Sequence, residues 1–92
     1  MTDYTERLTV PRYPFTIIEC RLDGPSGDYR IRTTVDAEGL QKCAEQTISA
    51  EVLYHAHDPL GIIEEVMMAT LEACGVPPQY VERFVGERKR IR

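Results

Sequence analysis

The sequence predicts an α+β domain: an antiparallel sheet of three to four strands packed against two C-terminal helices. Three observations carry this. Segments before residue 36 are rich in β-branched and aromatic residues and alternate apolar with polar, the period of a half-buried strand. Residues 59–74 carry helix-start chemistry at one end and helix-stop chemistry at the other. A second amphipathic segment follows within four residues. At 92 residues the chain is read as a single domain, 1–92, with a modest core.

Residues 5–12, TERLTVPR, alternate weakly, and Pro11 and Pro14 bracket a bend. An edge strand or extended arm fits them. PFTIIECRL, 14–22, reads as a strand, and DGPSGD supplies the loop after it. YRIRTTV, 29–35, sets Tyr29, Ile31, Thr33 and Val35 on one side and Arg30, Arg32 and Thr34 on the other, a half-buried strand with two arginines outside. VDAEGL places Asp36 where a type I turn starts and Gly39 where a left-handed residue is needed, joining two antiparallel strands.

Residues 36–56 admit two readings. Ile48, Ala50, Val52, Tyr54 and Ala56 alternate with polar residues, interrupted only by Leu53, which favours a strand over 47–55. A helix over 37–53 would instead stack Leu40, Ala44, Ile48 and Val52 on one stripe. The strand is preferred, and 40–46 fits either a strand or one helical turn. Beyond it, Asp58 is a favoured N-cap, Pro59 a favoured first helical residue, and Gly75 with Pro77 and Pro78 stops the helix. The apolar arc of helix 59–74 exceeds half its circumference, so it should meet a sheet on one side and a second helix on the other. That second helix runs 78–86, with Val81, Phe84 and Val85 inward, and Gly86 ends or loosens it.

With 42% hydrophobic and 28% charged residues, the chain falls among ordinary soluble globular proteins rather than disordered ones. It has no apolar run that would span a membrane, and MTDYTERLTV lacks the layout of a signal peptide. Cys20, Cys43 and Cys74, odd in number and widely spaced, suit reduced thiols in a cytoplasm.

YHAHDPLGIIEEV, 54–66, is the one stretch with catalytic or metal-binding residue types together. His55 and His57 with a carboxylate would resemble a metal site. There are only two histidines in the chain, no cysteine lies within local reach, and the Asp58 carboxylate is wanted by the orphan N–H groups of the helix start. Glu64 and Glu65 are expected on the solvated side. The stretch therefore reads as a strand-to-helix junction, with no metal and no cofactor. A Cys43–His55 pair has no nucleophile motif around it, and GPSGD lacks the Lys-Ser/Thr pair of a phosphate loop. The expectation is a protein that is not an enzyme.

Binding is the remaining class, and charge is unevenly distributed for it. Net charge is −4, yet residues 43–82 contain no Lys or Arg, while Arg83, Arg88, Lys89, Arg90 and Arg92 crowd the end. Arg30 and Arg32, about 7 Å apart on one strand face, with Lys42 from the next segment, could grip phosphates along a nucleic-acid backbone. Met68, ringed by Glu64, Glu65 and Glu72, is expected on the exposed arc, where a methionine can be a partner contact but is more often a tolerated substitution. The acidic total opposes binding to free DNA.

The run MTDYTERLTVPRYPFTIIECRLDGPSGDYRIRTT and the total length resemble the phage anti-CRISPR proteins directed against type I-F systems. The resemblance covers the whole chain, is carried by no shared motif, and transfers no functional residue. It implies a non-enzymatic inhibitor in the host cytoplasm. Such a protein docks on the host CRISPR surveillance complex, Cas proteins and crRNA together, and blocks hybridisation of target DNA. The alternatives are a phage or bacterial protein-interaction domain that binds another host protein or nucleoprotein, and a small metalloenzyme resting on His55 and His57.

Overall fold

Four strands and three helices follow one another along the chain in a computed structural model that describes residues 4–13, 15–37 and 39–91. Strands β1 (Tyr4–Thr9), β2 (Thr16–Leu22), β3 (Tyr29–Ala37) and β4 (Leu40–Ile48) form one antiparallel sheet in sequential order. Helices α1 (Ala50–His55), α2 (Pro59–Ala73) and α3 (Pro78–Ile91) complete the chain. This is the expected α+β architecture, with the larger strand count.

Each reversal rests on local chemistry. In the β2–β3 loop Ser26 Oγ donates to Asp23 Oδ2 at 2.6 Å, Asp28 N donates to Ser26 Oγ at 3.2 Å, and Gly27 adopts φ +76°. At the β3–β4 reversal Gly39 takes the expected left-handed φ of +76°, but Asp36 pairs with Gln41 and Ala37 with Leu40, so Asp36 belongs to the ladder and the connection is a two-residue hairpin rather than a turn starting at Asp36.

The alternation of β2 and β3 sorts residues as expected. Thr16, Ile18, Cys20, Ile31, Thr33 and Val35 are buried beneath the helices, while Arg30 and Arg32 are exposed on the opposite face. Helix α2 lies over β3 and β4 and also packs on α3, burying Met67, Thr70, Leu71 and Cys74. Helix α3 serves the β1 side: Tyr80 meets Tyr13 with ring centroids 5.2 Å apart, and Arg88 reaches Glu6 at 3.9 Å. Two helices side by side on one sheet account for the wide apolar arc read in 59–74.

A buried polar bridge ties the layers together. The hydroxyls of Thr33 and Thr70 lie 2.8 Å apart, and Thr70 Oγ1 donates to Met67 O at 2.8 Å.

The structure corrects four expectations. Of segment 47–55 only Thr47 and Ile48 are strand, the end of β4, because β3 begins at Tyr29 and Tyr29 already pairs with Ile48, so β4 has no neighbour beyond that point. There Ser49 Oγ accepts from Val52 N at 3.3 Å and Asp28 Oδ1 from Ala50 N at 2.9 Å, starting α1. The alternating Val52 and Tyr54 are 50% and 85% exposed, so their pattern reflects no buried face. Helix α3 does not stop at Gly86, whose surroundings are open. Good helix formers follow it, and Arg83 bridges it to Glu87 at 3.5 Å. Glu64 is buried, at 4% exposure, and engaged in a polar or electrostatic interaction rather than solvated. Met68 is partly buried against the core, so the exposed methionine ringed by acids does not exist.

Candidate docking surface

The junction at 54–58 lies between two helices instead of a strand and a helix. His55 closes α1 and stacks edge-on against Tyr54, at 5.1 Å between centroids, while His57 sits in the linker and is exposed. Asp58 caps α2, its Oδ1 accepting from Gly61 N at 3.1 Å. Among the described residues no group of three or more His, Cys, Asp or Glu side chains converges as metal ligands would.

The open face of the sheet is where charge gathers. The register aligns Arg7, Glu19, Arg32 and Glu45 in one row across all four strands, alternating in sign. Arg7 pairs with Glu19 at 3.4 Å, and Arg30 reaches diagonally to Glu45 at 3.6 Å. Arg32 donates its Nε–H to Cys43 Sγ at 3.4 Å; that bond, and then Glu45 and Glu19, raise its pKa and keep it charged. These pairs are solvent-exposed, so each adds little stability.

The adjacent row is different, because it sets Arg21 directly opposite Arg30. Like charges facing each other across a sheet repel; here the repulsion is offset, since Arg30 is paired with Glu45 and Arg21 is itself engaged in an interaction. With Arg32 the two line a shallow depression of about 190 Å³ that also holds Glu19 and Glu45. A neighbouring one of about 210 Å³ adds Asp23, Asp28 and Thr47. At the opposite end of the sheet Phe15, 69% exposed with φ +65°, accepts from Asp36 N through its carbonyl. Arg12, at φ +64°, shares this conformation in the same β1–β2 connection, so both strained residues belong to the turn that reverses the chain.

Of the residues singled out from sequence, Arg30 and Arg32 share the open sheet face, while Arg88 and Arg90 line a separate depression of about 360 Å³ beside Phe84 and Glu87. Lys42 pairs in register with Val35 and so lies on the helix-bearing face, its Nζ 3.3 Å from where a Cβ on Gly75 would stand. It cannot join Arg30 and Arg32, because strand alternation separates them. Arg88, Lys89 and Arg90 form the last turn of α3, where cations favour the helix dipole. Arg83 is paired with Glu87, and Arg88 lies over the Phe84 ring at 5.9 Å beside Glu6. Lys89 and Arg90 are exposed, and Arg92 lies outside the described residues.

Sequence reasoning missed Arg21 and Phe15. Arg21 shares the parity of Glu19 in β2 and was legible in principle, but its apposition to Arg30 needed the hairpin register. The positive φ of Phe15 left no sign in the sequence. No family model matches the chain, and neither a curated protein nor a solved structure matches it.

Proposed function

We propose that the protein is a non-enzymatic docking module of the host cytoplasm that uses the open face of its sheet to hold phosphates of a nucleoprotein. Following the resemblance, the target is a crRNA-guided type I-F surveillance complex, in which the bound protein blocks hybridisation of target DNA. The observation that supports the reading is the apposition of Arg21 and Arg30, with Arg32 beside them, on a rigid exposed sheet. A rigid strand pair fixes the spacing of guanidinium groups, so little entropy is lost on docking, and guanidinium groups match phosphate oxygens in two-pronged bonds. The interspersed Glu19 and Glu45, with a net charge of −4, oppose free DNA and favour a surface where protein and nucleic acid alternate.

The test is loading of labelled target DNA onto purified surveillance complex, with and without the protein. Wild type should prevent loading, and the protein alone should show no affinity for the same DNA at physiological salt. Arg21→Gln with Arg30→Gln should weaken inhibition and lower the salt slope by about 1 for each phosphate no longer held. Reversal at Arg32 is a poorer test, since it would set three carboxylates in a row across β2, β3 and β4 and weaken the sheet itself. Undiminished inhibition by the folded double variant removes the sheet face from the mechanism. Unimpeded loading at saturating wild type leaves a protein-interaction domain with another host partner.

A further inference from the structure

We infer that the free edge of β4 pairs antiparallel with the same strand of a second copy of this chain, joining two sheets into one of eight strands. The edge is long: β4 has nine residues, with neither proline nor glycine to break it, and its one inward-facing charge, Lys42, is the device a second copy must accommodate. It is also left clear by the chain that follows. Ala50 is drawn back to Asp28 in the β2–β3 loop at 2.9 Å, and α1 then packs on α2.

The orientation of the unpaired groups follows from one bond. Asp36 N donates to Phe15 O, so Asp36 faces β2, and Val35 and Thr33 face β4. Their partners Lys42 and Ala44 therefore point their backbone groups at β3. The amides of Gln41, Cys43, Glu45 and Thr47 point to the free edge.

Two copies related by a two-fold axis normal to the sheet keep each face on its own side. Opposed residues must then have the same parity, which leaves only registers centred on a residue. Centring on Lys42 opposes two lysines and centring on Glu45 opposes two glutamates, both unfavourable. Centring on Ala44 pairs the whole strand. Leu40 meets Ile48 of the second copy, Gln41 meets Thr47, Lys42 meets Gln46, and Cys43 meets Glu45. This register forms about eight new backbone hydrogen bonds and covers part of Leu40, which is 66% exposed in the monomer. It sets no like charges opposite each other. A strand-edge contact is smaller than a standard interface of about 1,600 Å², so the association is concentration-dependent.

Gln46 distinguishes this register from general charge effects. By symmetry each dimer contains two Lys42–Gln46 pairs, so a charge introduced at the exposed Gln46 acts twice. In sedimentation-velocity runs over a concentration series, wild type should pass from monomer to dimer. Gln46→Lys should weaken the dimer and Gln46→Glu should tighten it, each by about 2- to 30-fold in Kd. The direction is diagnostic, because adding negative charge to an acidic chain should otherwise weaken self-association. Glu45→Pro removes an edge-facing amide without touching the β3 ladder, and should leave a folded monomer by circular dichroism. A wild type that stays monomeric up to millimolar concentration overturns the proposal. So do equal responses to Gln46→Lys and Gln46→Glu, or a dimer that oxidises readily through Cys43 to Cys43, which belongs to the register centred on that residue.

Discussion

Replacing Thr70 with valine should destabilise the fold far more than the shape change suggests. Valine keeps the volume, so no cavity forms. Each hydroxyl has one proton; that of Thr70 is committed to Met67 O, so the Thr33 proton must go to Thr70 Oγ1. Both residues are fully buried, and water cannot replace the missing acceptor. Thr70→Val therefore strands the Thr33 hydroxyl at a cost of about 1–3 kcal/mol. For a domain of this size that lowers Tm by roughly 4–8 °C per kcal/mol. Thr33→Val should cost less, because Thr70 keeps its bond to Met67. The double variant, with both partners apolar, should recover most of the stability and give a coupling energy of about 1 kcal/mol or more. Urea titrations of the four proteins, followed by circular dichroism, provide the cycle. Additive effects, or a Thr70→Val variant as stable as wild type, would refute the directional chain from Thr33 through Thr70 to Met67.

Asp58→Ala should cost about 1 kcal/mol through loss of the α2 cap, read as a fall in the urea midpoint. Gly86→Ala should raise stability by up to about 1 kcal/mol, since a Cβ there meets nothing within 4 Å and alanine suits a helix interior; a lower Tm would mean that α3 does not continue through Gly86. Burial pushes the Cys20 and Cys74 thiols above the ordinary value of 9.0. The unfolded chain thus loses these protons first, so their contribution is intact below pH 9 and is lost as pH rises through the folded values. Tm should fall from pH 8 to pH 10, and less steeply in a Cys20→Ala, Cys74→Ala variant, while exposed Cys43 alone should react with a thiol reagent in the native state.

What the sequence determined by itself was local. The strand alternation of 29–35, the cap at Asp58-Pro59, the stop at Gly75 and the left-handed Gly39 each depend on a few neighbouring residues, and each stands where it was expected. The tertiary structure decided what depends on a distant partner. Segment 47–55 alternates like a strand, yet from Ala50 it is helix, because β3 begins at Tyr29 and offers β4 no partner beyond Ile48. Lys42 looked like a companion of Arg30 and Arg32 until the register put it on the other face. Glu64 looked solvated on a helical wheel, yet it is buried in the folded chain. The pairing of Arg21 with Arg30 shows the same limit: two residues nine apart in sequence meet only through a hairpin register. A helix cap is settled by bonds within one turn of chain, whereas a face, an edge or an opposed pair exists only once separate segments have packed.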